Sequence, residues 1–144
     1  MIVREAMSRD VKTVGPEQPI QDAARIMLDI DIGALPVGEN DRLVGMITDR
    51  DIAVRGVAAG KSASALVREV MTPEVRYCFD DEDAAHVART MADEQIRRLP
   101  VIDRDKRLVG IVALADLATL AKTGYATAAL SGISQAGGQH SQRS

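Results

Sequence analysis

Val-Arg-Glu-Ala-Met-Ser, residues 3–8, returns 64 positions later as Val-Arg-Glu-Val-Met-Thr, residues 67–72. Leu-Pro-Val at 35–37 returns with the same offset, and Arg-Leu-Val-Gly at 42–45 returns with an offset of 65. Ordered self-similarity at a nearly fixed period is the signature of a duplicated structural unit. The chain is therefore predicted to hold two copies of one unit, with one extra residue in the second copy, in the turn that precedes Arg-Leu-Val-Gly.

Each copy is predicted to fold as strand, helix, strand, strand and helix. Pro16 and Pro19 before the first helix, and the acidic run at 80–83 before the second, are helix-start signals. The helices themselves are indicated by apolar residues at helical spacing, which are Ile20, Ala23, Ala24, Met27 and Leu28 in the first copy and Ala84, Val87, Ala88, Met91 and Ala92 in the second.

Two strands and a short helix follow in each copy. Polar turns at 38–41 and 103–106 precede the strands predicted at 43–47 and 108–112. The short helices are predicted to begin near Asp51 and Asp116, and Gly60 and Gly124 are predicted helix stops.

The predicted fold class is α/β (α+β), with two tandem β-α-β-β-α units. A unit of about 60 residues buries too little surface to be secure alone, so we expect the two to pack as a pseudo-two-fold pair with facing sheets. The predicted boundaries are 1–62 and 63–124. Residues 125–144, rich in Ser, Gly and Gln, are predicted to form a flexible tail.

Composition excludes several classes of protein. A net charge of -3 and 2% aromatic residues disfavour nucleic-acid binding, which draws on basic groups and stacking rings. No apolar run approaches the length of a membrane span, and a single cysteine permits no intrachain disulfide, so we expect a cytoplasmic protein. Cys78 is interpreted as a small buried strand residue rather than a reactive thiol.

The sequence gives little support for an enzyme. We find no phosphate-binding GxxxxGK[ST] loop, no His/Cys metal set and no nucleophile–histidine pair, and the two histidines are His86, predicted to face solvent, and His140 in the tail. The acidic run at 80–83 lacks the alternating spacing and central glycine of a calcium loop, so no metal site is predicted.

The two ordered sets of Met-Ser/Thr, amphipathic helix, Leu-Pro-Val and Arg-Leu-Val-Gly resemble a tandem pair of cystathionine-β-synthase (CBS) domains, the Bateman module. The resemblance covers residues 1 to about 124. The runs at 32–37 and 48–52 make the chain similar to stand-alone bacterial CBS-pair proteins of the hypoxic-response type.

The resemblance implies a nucleotide site at Thr48 and Asp51, where a helix start offers N–H groups to phosphate and a carboxylate can bind ribose hydroxyls. The alternative is that Thr48 only caps the helix and Asp51 only favours its first turn. By the same resemblance Arg97 and Arg98 contact phosphate, although an ordinary exposed basic pair is the alternative.

The rest of the implied site lies in the first copy. The backbone at Thr13 and Val14 is expected to read adenine, and Ile32, Ala34 and Pro36 are possible apolar walls, with core packing equally open. Three further cations add positive charge around the site and are interpreted chiefly as a solvated helix face, with contact to polyphosphate as the alternative, namely Arg50, Arg55 and Lys61. Met7 and Met71 are expected to be core or interface residues.

The second copy departs from this pattern. Ala113 stands in the place of Thr48, and Gly33 and Ala34 stand in the places of Arg97 and Arg98, although Asp116 matches Asp51. At about 1.5–3 kcal/mol for each charged hydrogen bond, such losses weaken phosphate binding by several powers of ten. One competent site per chain is predicted, with Asp116 marking a possible second.

The sequence thus predicts a non-catalytic regulatory module that binds AMP, ADP or ATP in the cleft between the two copies and needs no obligatory cofactor. The alternative is a ligand-free structural or interaction protein that recognises a target protein. A homodimer is expected from the resemblance.

Overall fold

The computed structural model describes residues 1–73 and 75–120, with side chains to residue 117. The predicted tail at 125–144 and Gly124 lie outside the described residues. The strands are β1 (Ala34–Glu39), β2 (Arg42–Thr48), β3 (Cys78–Phe79), β4 (Arg98–Ile102) and β5 (Leu108–Ala113). The helices are α1 (Ile20–Ile30), α2 (Asp49–Asp51), α3 (Val67–Val70), α4 (Ala84–Glu94) and α5 (Leu114–Leu120), with a 3₁₀ turn at Val3–Glu5 and a π-helical segment at Ile52–Val57 that continues α2.

The chain forms two compact units whose boundaries differ from the predicted ones. The central unit is Lys12–Val75, and the composite unit joins Met1–Val11 to the chain from Arg76 onward. The compact units are therefore out of phase with the sequence copies, and the predicted division into 1–62 and 63–124 stays a prediction. The segment that opens each sequence copy packs in the unit built from the other copy. The facing of the two sheets stays a prediction.

A contact between a methionine and a strand glycine explains this phase. In the composite unit, a Cβ on Gly110 would lie 2.6 Å from Met7 Sδ, and in the central unit a Cβ on Gly45 would lie 2.8 Å from Met71 Sδ. Only a residue without a side chain lets the thioether approach the strand so closely. Both methionines pack at the edge of their unit's core, as predicted.

The residue after each methionine is tied to the same strand by a pair of backbone hydrogen bonds. In the composite unit the Ser8 N–H donates to Ile111 O at 2.8 Å and the Ile111 N–H donates to Ser8 O at 3.0 Å. In the central unit Met46 and Thr72 exchange the same two bonds at 2.9 and 2.8 Å. Each repeated Met-Ser/Thr motif is thus an added bridge on the second strand of a hairpin.

The two hairpins carry the predicted difference in turn length. Asn40 and Asp41 are the two residues between β1 and β2, and both have positive φ (54° and 65°), as in the type I′ turn that suits a two-residue hairpin. The second turn is longer, with Lys106 at φ 66° and the Asp103 carboxylate accepting from the Asp105 and Arg107 N–H groups at 2.9 Å. The extra residue therefore lies in the second turn.

Helices α1 and α4 confirm the predicted helices, but one apolar stripe was placed wrongly. The α4 stripe is buried or partly buried as predicted, and Asp83 accepts the His86 N–H at 3.1 Å as its N-cap. In α1, however, Leu28 is 79% exposed and Ala24 is exposed, while Ile26 and Ile30 pack on the core instead. The α1 sequence is apolar on more than one side, so spacing alone did not select the buried face.

The strand that opens each copy is short. In the central unit it is a single parallel bridge between Val14 and Val37, and in the composite unit it is β3, parallel to β4. The sheets are accordingly β1-β2 and β3-β4-β5. Aliphatic side chains fill both cores, including Val14, Ile20, Leu35, Ile47 and Val67 in the central unit and Val3, Met91, Leu99, Val101 and Val112 in the composite unit.

Cys78 lies in the composite core with 2% of its surface exposed, which confirms its interpretation as a buried strand residue. Burial, together with the nearby charges of Glu82 and Asp80, raises the pKa of the Cys78 thiol to about 12. The thiol therefore stays protonated at neutral pH.

Candidate functional site

The junction of β2 and α2 is closed by two reciprocal hydrogen bonds. The Asp51 N–H donates to Thr48 Oγ1 at 3.0 Å, and the Thr48 N–H donates to Asp51 Oδ2 at 3.0 Å. This is a capping box, in which two side chains satisfy two backbone donors that a helix start leaves without partners. The helix begins at Asp49, two residues earlier than predicted, because Thr48 is its N-cap. The capping role weighed for these two residues is confirmed.

The second oxygen of Asp51 faces a cation. Arg55 Nε lies 3.9 Å from Asp51 Oδ1, and Arg55 Nη1 donates to Met71 O at 3.4 Å. The Asp51 side chain is 15% exposed and that of Arg55 is 54% exposed. A carboxylate offers about four lone-pair directions, so the cap leaves Asp51 with capacity for further donors. The exposure of Arg55 agrees with its interpretation as part of a solvated face, and the ion pair adds a contact with Asp51.

The other two cations have ordinary surroundings. Lys61 Nζ lies 3.2 Å from the Glu69 carboxylate in an exposed ion pair, and Arg50 is exposed on the first turn of α2. The Lys61 ion pair involves neither Thr48 nor Asp51. Lys61 is thus committed to α3, the helix that carries Glu69.

The hairpin brings the predicted apolar walls beside Thr48. In the antiparallel register Ala34 is the direct partner of Thr48, and Pro36 is the partner of Met46. Paired residues and their neighbours two positions along point to one face of a sheet, so these four side chains share a face, opposite to Leu35. Ala34 and Pro36 are buried outside the core cluster that contains Leu35, and Ile32, just before β1, is half-buried.

Met46 is the residue of this face that sequence reasoning missed. It is half-buried and lies across from Pro36. Pairing the two predicted strands outward from the two-residue turn would have placed Met46 beside the site, because alternation fixes the face of every residue once the turn is known.

Both backbone groups of Val14 take part in its bridge to β1. Its N–H donates to Pro36 O at 3.2 Å and its carbonyl accepts the Gly38 N–H at 3.0 Å, while its side chain is 1% exposed. Successive residues of an extended strand point their backbone groups to opposite sides, so those of Thr13, which is exposed, face away from β1. The predicted roles of Thr13 and Val14 in reading adenine stay predictions.

The composite unit repeats the geometry with different side chains. Arg98 pairs with Ala113 as Ala34 pairs with Thr48, and the Leu114 N–H donates to Arg97 O at 3.0 Å as the Asp49 N–H donates to Gly33 O at 2.9 Å. The predicted equivalences are therefore confirmed. Ala113 supplies no hydroxyl to cap α5, and Asp116 is exposed on the first turn of that helix.

Arg97 and Arg98 are exposed at the start of β4 and belong to the composite unit, whereas Thr48 and Asp51 belong to the central unit. The structure thus brings together Thr48, Asp51, Ala34 and Pro36 within one unit. The participation of the two arginines in the same site stays a prediction.

The acidic run at 80–83 has structural partners. Asp80 accepts from Arg4 Nε and Nη2 at 3.2 Å, and Asp81 accepts from Arg104 with contacts as short as 2.7 Å. The Glu82 carboxylate accepts the Phe79 N–H at 2.9 Å. Among residues 1–73 and 75–120 no group of three or more His, Cys, Asp or Glu side chains is arranged to hold a metal ion.

The helices of the described segment are all too short or too polar to cross a membrane.

The chain matches the family model described as "CBS domain" twice, over residues 3–56 and 67–122. It is 46% identical over 116 residues to CBS domain-containing protein YhcV of Bacillus subtilis, covering 81% of this chain and 82% of that protein. It is 41% identical over 117 residues to Hypoxic response protein 1 of Mycobacterium tuberculosis, covering 80% and 81% of the two chains.

Solved structures show the same fold. Hypoxic Response Protein I with two coordinated zinc ions is 40% identical, with a TM-score of 0.72 and coverage of 83% of this chain and 98% of that one. The CBS domain pair of protein MJ0100, in complex with 5′-methylthioadenosine and S-adenosyl-L-methionine, is 33% identical with a TM-score of 0.68, covering 83% and 94%. CBSX2 in complex with AMP is 26% identical with a TM-score of 0.71, covering 83% and 95%.

Proposed function

Because this chain belongs to the CBS-domain family and carries two such domains in tandem, we propose that it is a non-catalytic regulatory module that binds an adenine nucleotide, AMP, ADP or ATP. The binding site of this proposal centres on Thr48 and Asp51. Its apolar walls are Ile32, Ala34 and Pro36, and Thr13 reads the base. No resident cofactor is required.

The observation that carries the proposal is the state of Asp51. One of its oxygens is fixed by the Thr48 N–H at 3.0 Å, which sets the direction of the carboxylate. Among the described residues, the other oxygen faces the Arg55 cation 3.9 Å away, beyond hydrogen-bond distance. A carboxylate that is oriented by one oxygen and open at the other suits a ligand with two adjacent hydroxyls.

The ligands of two neighbours support an adenosine-containing ligand. AMP is bound in CBSX2, and 5′-methylthioadenosine and S-adenosyl-L-methionine are bound in the domain pair of MJ0100. All three molecules contain adenine and a ribose with free 2′- and 3′-hydroxyls. Those groups match the apolar hairpin face and the open carboxylate oxygen of this chain.

We place the competent site in the first copy. Ala113 lacks the hydroxyl of Thr48, so the second copy cannot form the half of the capping box in which a hydroxyl accepts a backbone N–H. The proposal also assigns phosphate contacts to Arg97 and Arg98, which the second copy matches only with Gly33 and Ala34. The proposed site does not include Asp116, where a second ligand would bind more weakly.

The test is thermal unfolding of the full chain with AMP, ADP, ATP and S-adenosylmethionine, compared with Asp51→Asn and Asp116→Asn. Asparagine keeps an oxygen for the Thr48 N–H, so it preserves the cap while removing the charge. A nucleotide at 100 times its dissociation constant adds about 2.7 kcal/mol of stability. We expect this gain in the parent and in Asp116→Asn and its loss in Asp51→Asn, and equal losses in both variants would contradict a single site.

A second candidate is a structural or interaction protein that binds no nucleotide. The capping box favours it, because that box gives Thr48 and Asp51 a complete structural role without a ligand. This candidate predicts no stabilisation of the parent by any of the four ligands at millimolar concentration.

The proposal extends to a cytoplasmic homodimer that signals to a target protein and binds neither nucleic acid nor membrane. Light scattering during gel filtration tests the dimer directly. Ligand binding can carry a signal only if two conformations differ in their affinity for it. A change in hydrodynamic radius or in partner capture on adding nucleotide is therefore the expected signature.

A further inference from the structure

Arg55 occupies the oxygen of Asp51 that the capping box leaves open. Its Nε lies 3.9 Å from Asp51 Oδ1, and its Nη1 is anchored on Met71 O at 3.4 Å. Both contacts are at or beyond the long end of hydrogen-bond geometry, so neither holds the guanidinium strongly. Arg55 is also 54% exposed, which lets the side chain move without disturbing the core.

The backbone that carries Arg55 is unusual. Residues Ile52–Val57 are π-helical, with the Ala58 N–H donating to Ala53 O at 2.9 Å and the Lys61 N–H to Gly56 O at 3.0 Å. Short π-helical segments are rare and occur often at functional sites. In the second copy Leu120 occupies the position equivalent to Arg55, so the second copy has no cation at that position. The pairing of an arginine with the site aspartate is therefore a feature of the copy that carries the proposed nucleotide site.

We propose that Arg55 is a specificity-determining residue that makes the site select phosphorylated adenosine over adenosine itself. This inference rests on the proposed function. Before binding, the guanidinium neutralises Asp51. A ribose diol that binds Asp51 displaces Arg55, and the displaced cation is then available to a phosphate oxygen.

Adenosine and nucleotides differ in whether they offer Arg55 a new anionic partner after its ion pair with Asp51 breaks. Adenosine breaks the ion pair and offers no anion in exchange. A nucleotide breaks the same pair and offers phosphate oxygens, which bind guanidinium through charge-assisted hydrogen bonds. Ligands of the two neighbours carry different charges at the 5′ position, with a phosphate on AMP and a sulfonium on S-adenosylmethionine. A residue that does not contact the adenosine part of the ligand must therefore determine which charge at the 5′ position a site prefers.

The experiment is calorimetric titration of the full chain with adenosine, AMP and ATP, for the parent, Arg55→Gln and Arg50→Gln. Arg50 is the matched control because it is an exposed arginine on the same helix, and its substitution changes the net charge equally. In Arg55→Gln we expect adenosine to bind about threefold more tightly, since an exposed ion pair no longer competes. We expect AMP and ATP to bind about tenfold more weakly, since a charged contact to phosphate is lost.

The ratio of the two affinities decides the result. A fall of about thirtyfold in the preference for ATP over adenosine in Arg55→Gln, with little change in Arg50→Gln, supports the inference. An unchanged ratio in Arg55→Gln, or the same fall in both variants, overturns it. If the parent binds AMP and Asp51→Asn does not, an unchanged ratio overturns the role of Arg55 alone. If the parent binds none of the three probes at millimolar concentration, the proposed function and this inference both fail.

Arg55→Lys separates charge from geometry. Lysine keeps the positive charge but not the planar donor pair of guanidinium. We expect Arg55→Lys to retain part of the preference for ATP. Complete loss of the preference with lysine would contradict a role based on charge exchange.

Discussion

Gly45→Ala tests whether the methionine–glycine contact holds the central unit together. A Cβ at this position would lie 2.8 Å from Met71 Sδ and 2.9 Å from Thr72 O. The thioether can move, but Thr72 O is backbone and accepts the Met46 N–H at 2.9 Å. The new methyl group must therefore weaken the backbone bridge between Met46 and Thr72.

The expected loss of stability is about 2 kcal/mol. Overpacking a close contact costs about 1–3 kcal/mol, and weakening the paired bonds between Met46 and Thr72 adds about 0.5–1.5 kcal/mol. Replacing glycine by alanine returns about 0.4–1 kcal/mol by restricting the unfolded chain. For a chain of this length that net loss lowers the melting temperature by about 4–8 °C.

The assay is thermal and urea unfolding followed by far-ultraviolet circular dichroism, since the chain has no tryptophan to report by fluorescence. Gly15→Ala is the matched control, because a Cβ there would meet nothing closer than Gln18 Oε1 at 3.5 Å. We expect Gly15→Ala to stay within about 0.5 kcal/mol of the parent. If Gly45→Ala were no less stable than Gly15→Ala, the steric explanation of the repeated Gly and Met would be refuted.

Two further predictions concern the cap and the buried thiol. Thr48→Val should lower the free energy of unfolding by about 1 kcal/mol because the Asp51 N–H loses its acceptor, whereas Thr48→Ser should restore it, as urea unfolding will show. The Cys78 thiol should react with a disulfide reagent at pH 8 about a thousandfold more slowly than an ordinary thiol, because its pKa of about 12 keeps the thiolate scarce. Since that pKa is raised from 9.0, the native state retains a proton that the unfolded state releases, so stability should fall as pH rises above about 9 and should fall less in Cys78→Ala. Fast labelling of the native protein at pH 8 would contradict the burial of this thiol.

Local signals in the sequence were enough for the elements but not for the division of the chain. The duplicated motifs fixed the period, and the polar turns fixed the two hairpins with their difference in length. The repeats do not show with which copy each opening segment packs, and that packing depends on Met7 reaching Gly110 across about a hundred residues. A glycine inside an otherwise aliphatic strand was the available sign that another chain segment approaches there.

The same limit applies to the candidate site. Thr48, Asp51, Ala34 and Pro36 lie on one hairpin and the helix start that follows it, so short-range pairing brings them together. The sequence did not show that β1 uses both backbone groups of Val14, because no side-chain pattern reveals backbone pairing. The contact of Arg55 with Asp51 has the i,i+4 spacing of helical ion pairs, but the sequence does not reveal the π-helical segment that carries Arg55.

The comparison of the two copies separates scaffold from site. Both copies keep the close Met–Gly contact, the paired bridge and the hairpin, so these features belong to folding. They differ where Ala113 replaces Thr48, and α5 forms without that hydroxyl. The fold therefore does not require a threonine cap. The pairing of Thr48 with Asp51 in the first copy can accordingly serve ligand binding as well. In the proposed site, the cap orients one carboxylate oxygen of Asp51, and a ligand competes with the exposed Arg55 for the other.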